Sequence, residues 1–132
     1  LFRHAKAIPI APAYEDAALL EQAYEACAAA LDQGELVCIF PEGKLTRDGE
    51  VNPFRQGVTR IVERSPVPVV PMALRGLWGS VFSRAADARW PRPVRKGVMS
   101  RLTLAVAEPL DPRSATPEAL QRIVTELRGP RK

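Results

Sequence analysis

Leu36-Val37-Cys38-Ile39-Phe40 is an unbroken apolar run of strand length that stops abruptly at Pro41-Glu42-Gly43. A run without polar alternation predicts a strand buried on both faces, as in a sheet covered by helices. The flanking segments have the helical period that such covering needs. From Glu15 to Gln33, residues Leu20, Tyr24, Cys27 and Leu31 recur at i, i+4, i+7 and i+11, and Gly34 supplies the stop. Val58, Ile61 and Val62 predict a short helix over 54–64, closed by Ser65-Pro66.

The remaining elements follow the same alternation. Ala-Ile-Pro-Ile-Ala at 7–11 reads as an edge strand, because Pro9 cannot donate to a central ladder. Val67 to Leu74 predicts a second buried strand, made irregular or kept near an edge by Pro68 and Pro71. Arg101 to Ala107 predicts a third, with Leu102, Leu104 and Val106 pointing inward. A last helix opens at Thr116 with Pro117 at its first position, carries Leu120, Ile123, Val124 and Leu127 on one stripe, and ends at Gly129-Pro130. Strands alternating with helices predict an α/β layered domain with a largely parallel or mixed sheet flanked by helices.

At 132 residues the chain suits one domain, here 1–132, with a modest core. It begins Leu1-Phe2-Arg3-His4, without an initiator Met or a signal-peptide pattern, and reads as cut from a longer chain. Its longest uncharged apolar run is Ser65 to Leu74, interrupted by three prolines. That falls well short of the roughly 20 residues a membrane-spanning helix needs. Cys27 and Cys38 form neither a CxxC pair nor a metal spacing with His4, and are expected to be reduced core residues.

Nineteen Lys and Arg against fifteen Asp and Glu give a net charge of +4, which suits a phosphate-bearing or anionic partner without demanding one. The excess is local. Arg84, Arg89, Arg92, Arg95, Lys96 and Arg101 stand against Asp87 alone, interleaved with Trp78, Phe82 and Trp90. Such a mixture fits a membrane interface, where aromatic rings settle at headgroup depth and basic residues meet anionic lipid. The same mixture could stack on and neutralise nucleic acid, or simply be a solvated loop with two buried Trp. A membrane contact through Trp78, Phe82, Trp90, Arg92, Arg95 and Lys96, with no nucleic acid, is the preferred expectation.

The loop after Phe40 carries most of the chemistry. Its Pro41-Glu42-Gly43 turn and the Asp48-Gly49 turn signal place residues 41–53 at the C-terminal end of the 36–40 strand, where open α/β sheets bind ligands. Gly43 allows positive φ or close approach of a phosphate to the backbone, and Lys44, Arg47 and Arg55 offer charge-assisted donors to phosphate oxygens. Glu42 beside a phosphate would repel it. Its expected roles are to orient an Arg, to accept a substrate hydroxyl, or to fix the loop by accepting backbone N–H groups. A plain strand-end turn with solvated charges is the bland alternative.

Three blocks stand in order: Phe40-Pro41-Glu42-Gly43 with Lys44, Thr46 and Arg47 after it, then Phe54-Arg55-Gln56-Gly57, then Val67-Pro68-Val69-Val70-Pro71. Together they resemble the glycerophospholipid acyltransferase family, over roughly residues 1–80, and Ile8-Pro9-Ile10 looks like the strand preceding that family's central helix. The chain departs from the family in having Lys44-Leu45-Thr46-Arg47 where Thr-Arg-Ser usually follows the Gly, and no Arg after Ile10.

The resemblance implies a glycerol-3-phosphate acyltransferase-like fold, truncated at its N-terminus, and a phosphate site drawn from Glu42, Gly43, Lys44, Thr46, Arg47, Arg55 and Gly57. It implies a phospholipid-synthesising or recycling enzyme that moves an acyl group from acyl-CoA or acyl carrier protein onto a lysophospholipid such as 1-acylglycerol-3-phosphate. No cofactor or metal is implied. It also implies residence at the cytoplasmic face of a membrane, peripheral or tethered through the rest of its own longer chain.

Acyl transfer to a hydroxyl needs a general base. The family supplies it as a His followed five positions later by an Asp. Here His4 is the one histidine and Pro9 stands five positions on, so no catalytic residue is expected in this chain and the base is expected upstream. The alternative readings are a non-catalytic lipid-phosphate or membrane-binding module and, more remotely, a basic nucleic-acid binder, which would show salt-sensitive binding.

Overall fold

The computed structural model describes residues 7–12, 14–46, 49–76 and 102–130. Within these, the elements run α1 (Ala17–Asp32), α2 (Gly57–Arg64), β1 (Met72–Arg75), β2 (Thr103–Val106), a 3-10 turn (Pro112–Ser114) and α3 (Pro117–Arg128). Three helices and a pair of strands are compatible with an α/β fragment. His4, Arg47, Trp78, Phe82, Trp90, Arg92, Arg95 and Lys96 lie outside the described residues.

Local chemistry accounts for the helix boundaries. Asp16 caps α1, its Oδ1 accepting the Leu19 N–H at 2.8 Å. At the other end Gly34 takes φ +77, so that Glu35 N reaches the Ala30 carbonyl and Gly34 N the Leu31 carbonyl, the pairing that closes a Schellman motif. Thr116 caps α3 through the Ala119 N–H at 3.2 Å, with Pro117 at the first position. Helix α2 begins at Gly57 rather than at residue 54. The N–H groups of Phe54 and Arg55 are turned to Gln121 and to the Pro41 carbonyl instead of into a helix.

The core is small. Val58 and Val62 of α2 meet Ala115 and Leu120, with Ile39, Phe54, Val69 and Leu110 packed against them. α1 rests on α2 through Tyr24, a buried ring flanked by the Arg60 and Arg64 guanidiniums at 5.9 and 5.3 Å. Arg64 also pairs with Glu21 of α1.

β1 and β2 pair antiparallel, Met72 opposite Val106 and Leu74 opposite Leu104, an arrangement compatible with the mixed form of the expected sheet and not with a wholly parallel one. The ladder ends at Met72, since Pro71 has no N–H to donate, although its carbonyl still accepts the Ala107 N–H at 3.0 Å, and an isolated bridge follows between Val69 and Leu110. α3 lies against this sheet, and Arg75 of β1 donates from Nε to the Leu127 carbonyl near the end of α3. Ala73 is the β1 residue buried there, with Ala105 half-buried opposite it.

Three strand expectations are corrected. Leu102, Leu104 and Val106 are exposed rather than inward, because α3 covers the face that carries the two alanines. The 36–40 run forms no ladder among the described residues and is not buried. Leu36 is fully exposed and Phe40 86% exposed, and only Val37 and Ile39 are half-covered. Residues 7–12 form no strand.

Cys38, on that run, is exposed and not a core residue, whereas Cys27 is buried in α1. Burial also pushes the Cys27 thiol above its ordinary pKa, which starves it of the reactive thiolate. In native buffer a thiol reagent should modify Cys38 promptly and Cys27 only after denaturant is added. Equal labelling rates in mass spectrometry would contradict this placement.

A candidate phosphate-binding loop

The loop is closed at its neck by two backbone bonds. Gly43 N donates to the Phe40 carbonyl at 3.1 Å and Arg55 N to the Pro41 carbonyl at 2.9 Å. Proline second and glycine fourth are favoured places in a tight turn of this kind, and Gly43 sits at φ +62, a region costly for any residue with a Cβ.

Glu42 ties the two sides of the loop together. Its Oε2 accepts both the backbone N–H of Asn52 at 2.6 Å and the side-chain amide of Asn52 at 2.9 Å. Of the roles expected for this carboxylate, it performs that of loop anchor. Thr46 has a similar job, its hydroxyl accepting the Gly49 N–H at 3.0 Å.

Arg55 is the cation of the loop with a defined place. Its side chain lies directly over Gly43: a Cβ there would stand 3.0 Å from Nε, 3.1 Å from Cδ and 3.3 Å from Cζ. The residue is exposed, and its guanidinium forms no hydrogen bond or ion pair among the described residues. A fork of donors lies exposed across a glycine backbone at the end of an apolar segment, a donor set of the kind that pairs with anionic oxygens.

The structure thus brings Gly43 and Arg55 together and sets Glu42 and Thr46 as braces. Lys44 is exposed on the same loop. Gly57 opens α2, where a Cβ would meet nothing closer than the Tyr24 hydroxyl at 3.8 Å. A concavity of about 430 Å³ lies elsewhere, between α2 and the 3-10 turn, lined by Thr59, Glu63 and Arg113 among others and by none of the loop residues.

Two contacts on α3 complete the loop's support. Phe54 N donates to Gln121 Oε1 at 3.2 Å, and Arg128 donates to the Gly49 carbonyl and, at 2.9 Å, to Glu50 Oε2. Neither Gln121 nor Arg128 was a candidate on sequence grounds. Nothing local marks a helix residue as the partner of a loop some 70 positions earlier. Asn52 was likewise missed, although an Asn in a polar loop is a common bracing residue.

This loop lies within residues 1–75, more than half of the chain, which match the family model described as Acyltransferase. The chain belongs to the acyltransferase family. It is similar to the chloroplastic 1-acyl-sn-glycerol-3-phosphate acyltransferase of Brassica napus, at 40% identity over 50 residues, 38% of this chain and 14% of that protein. The 1-acyl-sn-glycerol-3-phosphate acyltransferase of Limnanthes douglasii is 35% identical over 60 residues, 46% of this chain and 21% of that protein. A probable 1-acyl-sn-glycerol-3-phosphate acyltransferase of Mycoplasma pneumoniae is 31% identical over 52 residues, 39% of this chain and 20% of that protein. The matched segments therefore span about a fifth or less of these relatives' own length. No solved structure matches the chain.

Proposed function

We propose that this chain supplies the phosphate-binding side of a glycerophospholipid O-acyltransferase. The enzyme breaks the C–S bond of an acyl thioester carried on coenzyme A or acyl carrier protein. It forms an ester C–O bond to the hydroxyl of a lysophospholipid such as 1-acylglycerol-3-phosphate, and the hydroxyl proton passes by way of a base to the departing thiolate. The observation that carries this reading is the Arg55 guanidinium laid over Gly43 without a partner among the described residues. The named relatives support the acceptor class.

Removing that fork should remove the anion site. Arg55→Gln is expected to weaken binding of a lysophosphatidic acid headgroup by about tenfold or more, since a charge-assisted pair is about twice as strong as a neutral hydrogen bond. Equal affinity in the variant, measured by calorimetry, would refute the site. The 132 residues by themselves are expected to give no acyl transfer to lysophospholipid from labelled acyl-CoA, because a positioned base contributes about 10²–10⁴-fold and His4 is followed by Pro9 rather than Asp five residues on. Turnover at an ordinary enzymatic rate would mean that the catalytic residue has been misplaced. Phosphate binding without turnover in the full-length protein would favour the non-catalytic module.

Residues 77–100 are the proposed contact with the cytoplasmic face of an anionic membrane, on the composition of that segment. Replacing Arg92, Arg95 and Lys96 with Gln should weaken sedimentation with anionic liposomes, most at low salt, where screening is least. Replacing Trp90 with Ala should weaken it at any salt. Absence of binding by the unmodified protein at low salt would remove the membrane contact from this segment.

A further inference from the structure

We infer that α3 holds the 41–55 loop in its binding conformation, with Gln121 and Arg128 as positioning residues for the Gly43–Arg55 site. The inference rests on the phosphate reading above and adds a part of the chain that the family match, ending at residue 75, does not reach.

The geometry is a two-point clamp. Gln121, one turn into α3, takes the N–H of Phe54 at 3.2 Å, and Phe54 is the residue immediately before Arg55. Arg128, the last residue of α3, grips the opposite limb of the loop at Gly49 and Glu50. Seven residues of helix separate the two points by roughly 10 Å, at 1.5 Å per residue. A helix is rigid over that distance. Fastening both limbs to one rigid element removes the freedom that Arg55 would otherwise surrender when it meets an anion.

The burial of Arg128 shows that it is more than a surface charge. Its side chain is 21% exposed, against 45% for Glu50, and its Nε is enclosed without a partner among the described residues. A single planar fork spans a backbone carbonyl and a carboxylate, which the single ammonium of Lys cannot reproduce with the same reach. α3 itself is well fixed, by Leu120 in the core and by Arg75, which donates to its last turn at Leu127.

The test combines amide hydrogen exchange with titration of glycerol 3-phosphate, on the full chain and on Gln121→Leu, Arg128→Gln and Arg128→Lys. Expected is faster exchange confined to 41–55, by about three- to tenfold for each hydrogen bond lost, and a comparable rise in the Kd for glycerol 3-phosphate. Arg128→Lys should recover part of both. In an active full-length enzyme the same variants should raise KM for the phosphate acceptor and leave kcat near its original value. Exchange that accelerates throughout the chain, with a lowered melting temperature and unchanged affinity, would make these ordinary fold-holding residues and overturn the inference. Failure of the unmodified protein to bind glycerol 3-phosphate would instead bring down the phosphate reading, and the positioning role with it. Binding by the unmodified protein, with variants as tight as it is, overturns the positioning role alone.

Discussion

Leu120→Ala is expected to destabilise the chain by about 2–5 kcal/mol, the range for removing a buried leucine side chain. Leu120 is 3% exposed and stands at the meeting point of α2, α3 and the 3-10 turn, among Val58, Val62 and Ala115. The core of the described residues has few such members and no large side chain buried completely, so little can collapse to fill the cavity. Domains of this size are stable by only about 5–15 kcal/mol, and the loss would be a large fraction of that. The control is Leu104→Ala. Leu104 is as apolar but 58% exposed, and its truncation should change stability far less, within about 0.5 kcal/mol, the usual span for surface changes. Denaturant titrations of the two variants decide the matter. Similar midpoint shifts would mean that the β1–β2 face is covered by something the described residues do not include.

The second large effect is on binding rather than folding. Gly43→Ala places a Cβ in a left-handed conformation, at about 1–2 kcal/mol, and 3.0 Å from Nε of Arg55. The guanidinium can swing away, so the clash adds little to the loss of stability. Swinging away, however, vacates the position proposed to meet the phosphate, and affinity for glycerol 3-phosphate should fall by more than tenfold, given the strength of charge-assisted donors. Gly34→Ala separates the two causes. It bears the same backbone strain, at φ +77, but its Cβ would meet nothing within 4 Å. Equal loss of stability in both variants, with binding lost only at Gly43, is the expected pattern. Retained binding in Gly43→Ala would detach Arg55 from the site.

Legibility in the sequence divides along the range of the interactions. Gly34, Thr116, Pro117 and Gly129 mark helix ends because a cap is satisfied within three to five residues. The Phe40-Pro41-Glu42-Gly43 turn was readable for the same reason, and Glu42, Gly43 and Arg55 were candidates by residue type, but that Arg55 lies over Gly43, twelve positions away, was not. The covered face of the sheet was not readable. Leu102, Leu104 and Val106 alternate as an inward set should, and a period of two says which residues share a face without saying which face a helix will take.

The sequence by itself determined the three helices, their ends apart from the start of α2, the loop and the family, because periodicity, capping and motif order are properties of neighbours along the chain. Only the tertiary structure decided that α3 lies on the alanine face of β1 and β2, that Leu36 and Phe40 stand exposed, and that Gln121 and Arg128 brace a loop 67 and 79 positions away from Phe54 and Gly49 respectively. Those facts depend on which surfaces meet, and the free energy of meeting is shared among residues that no local pattern connects.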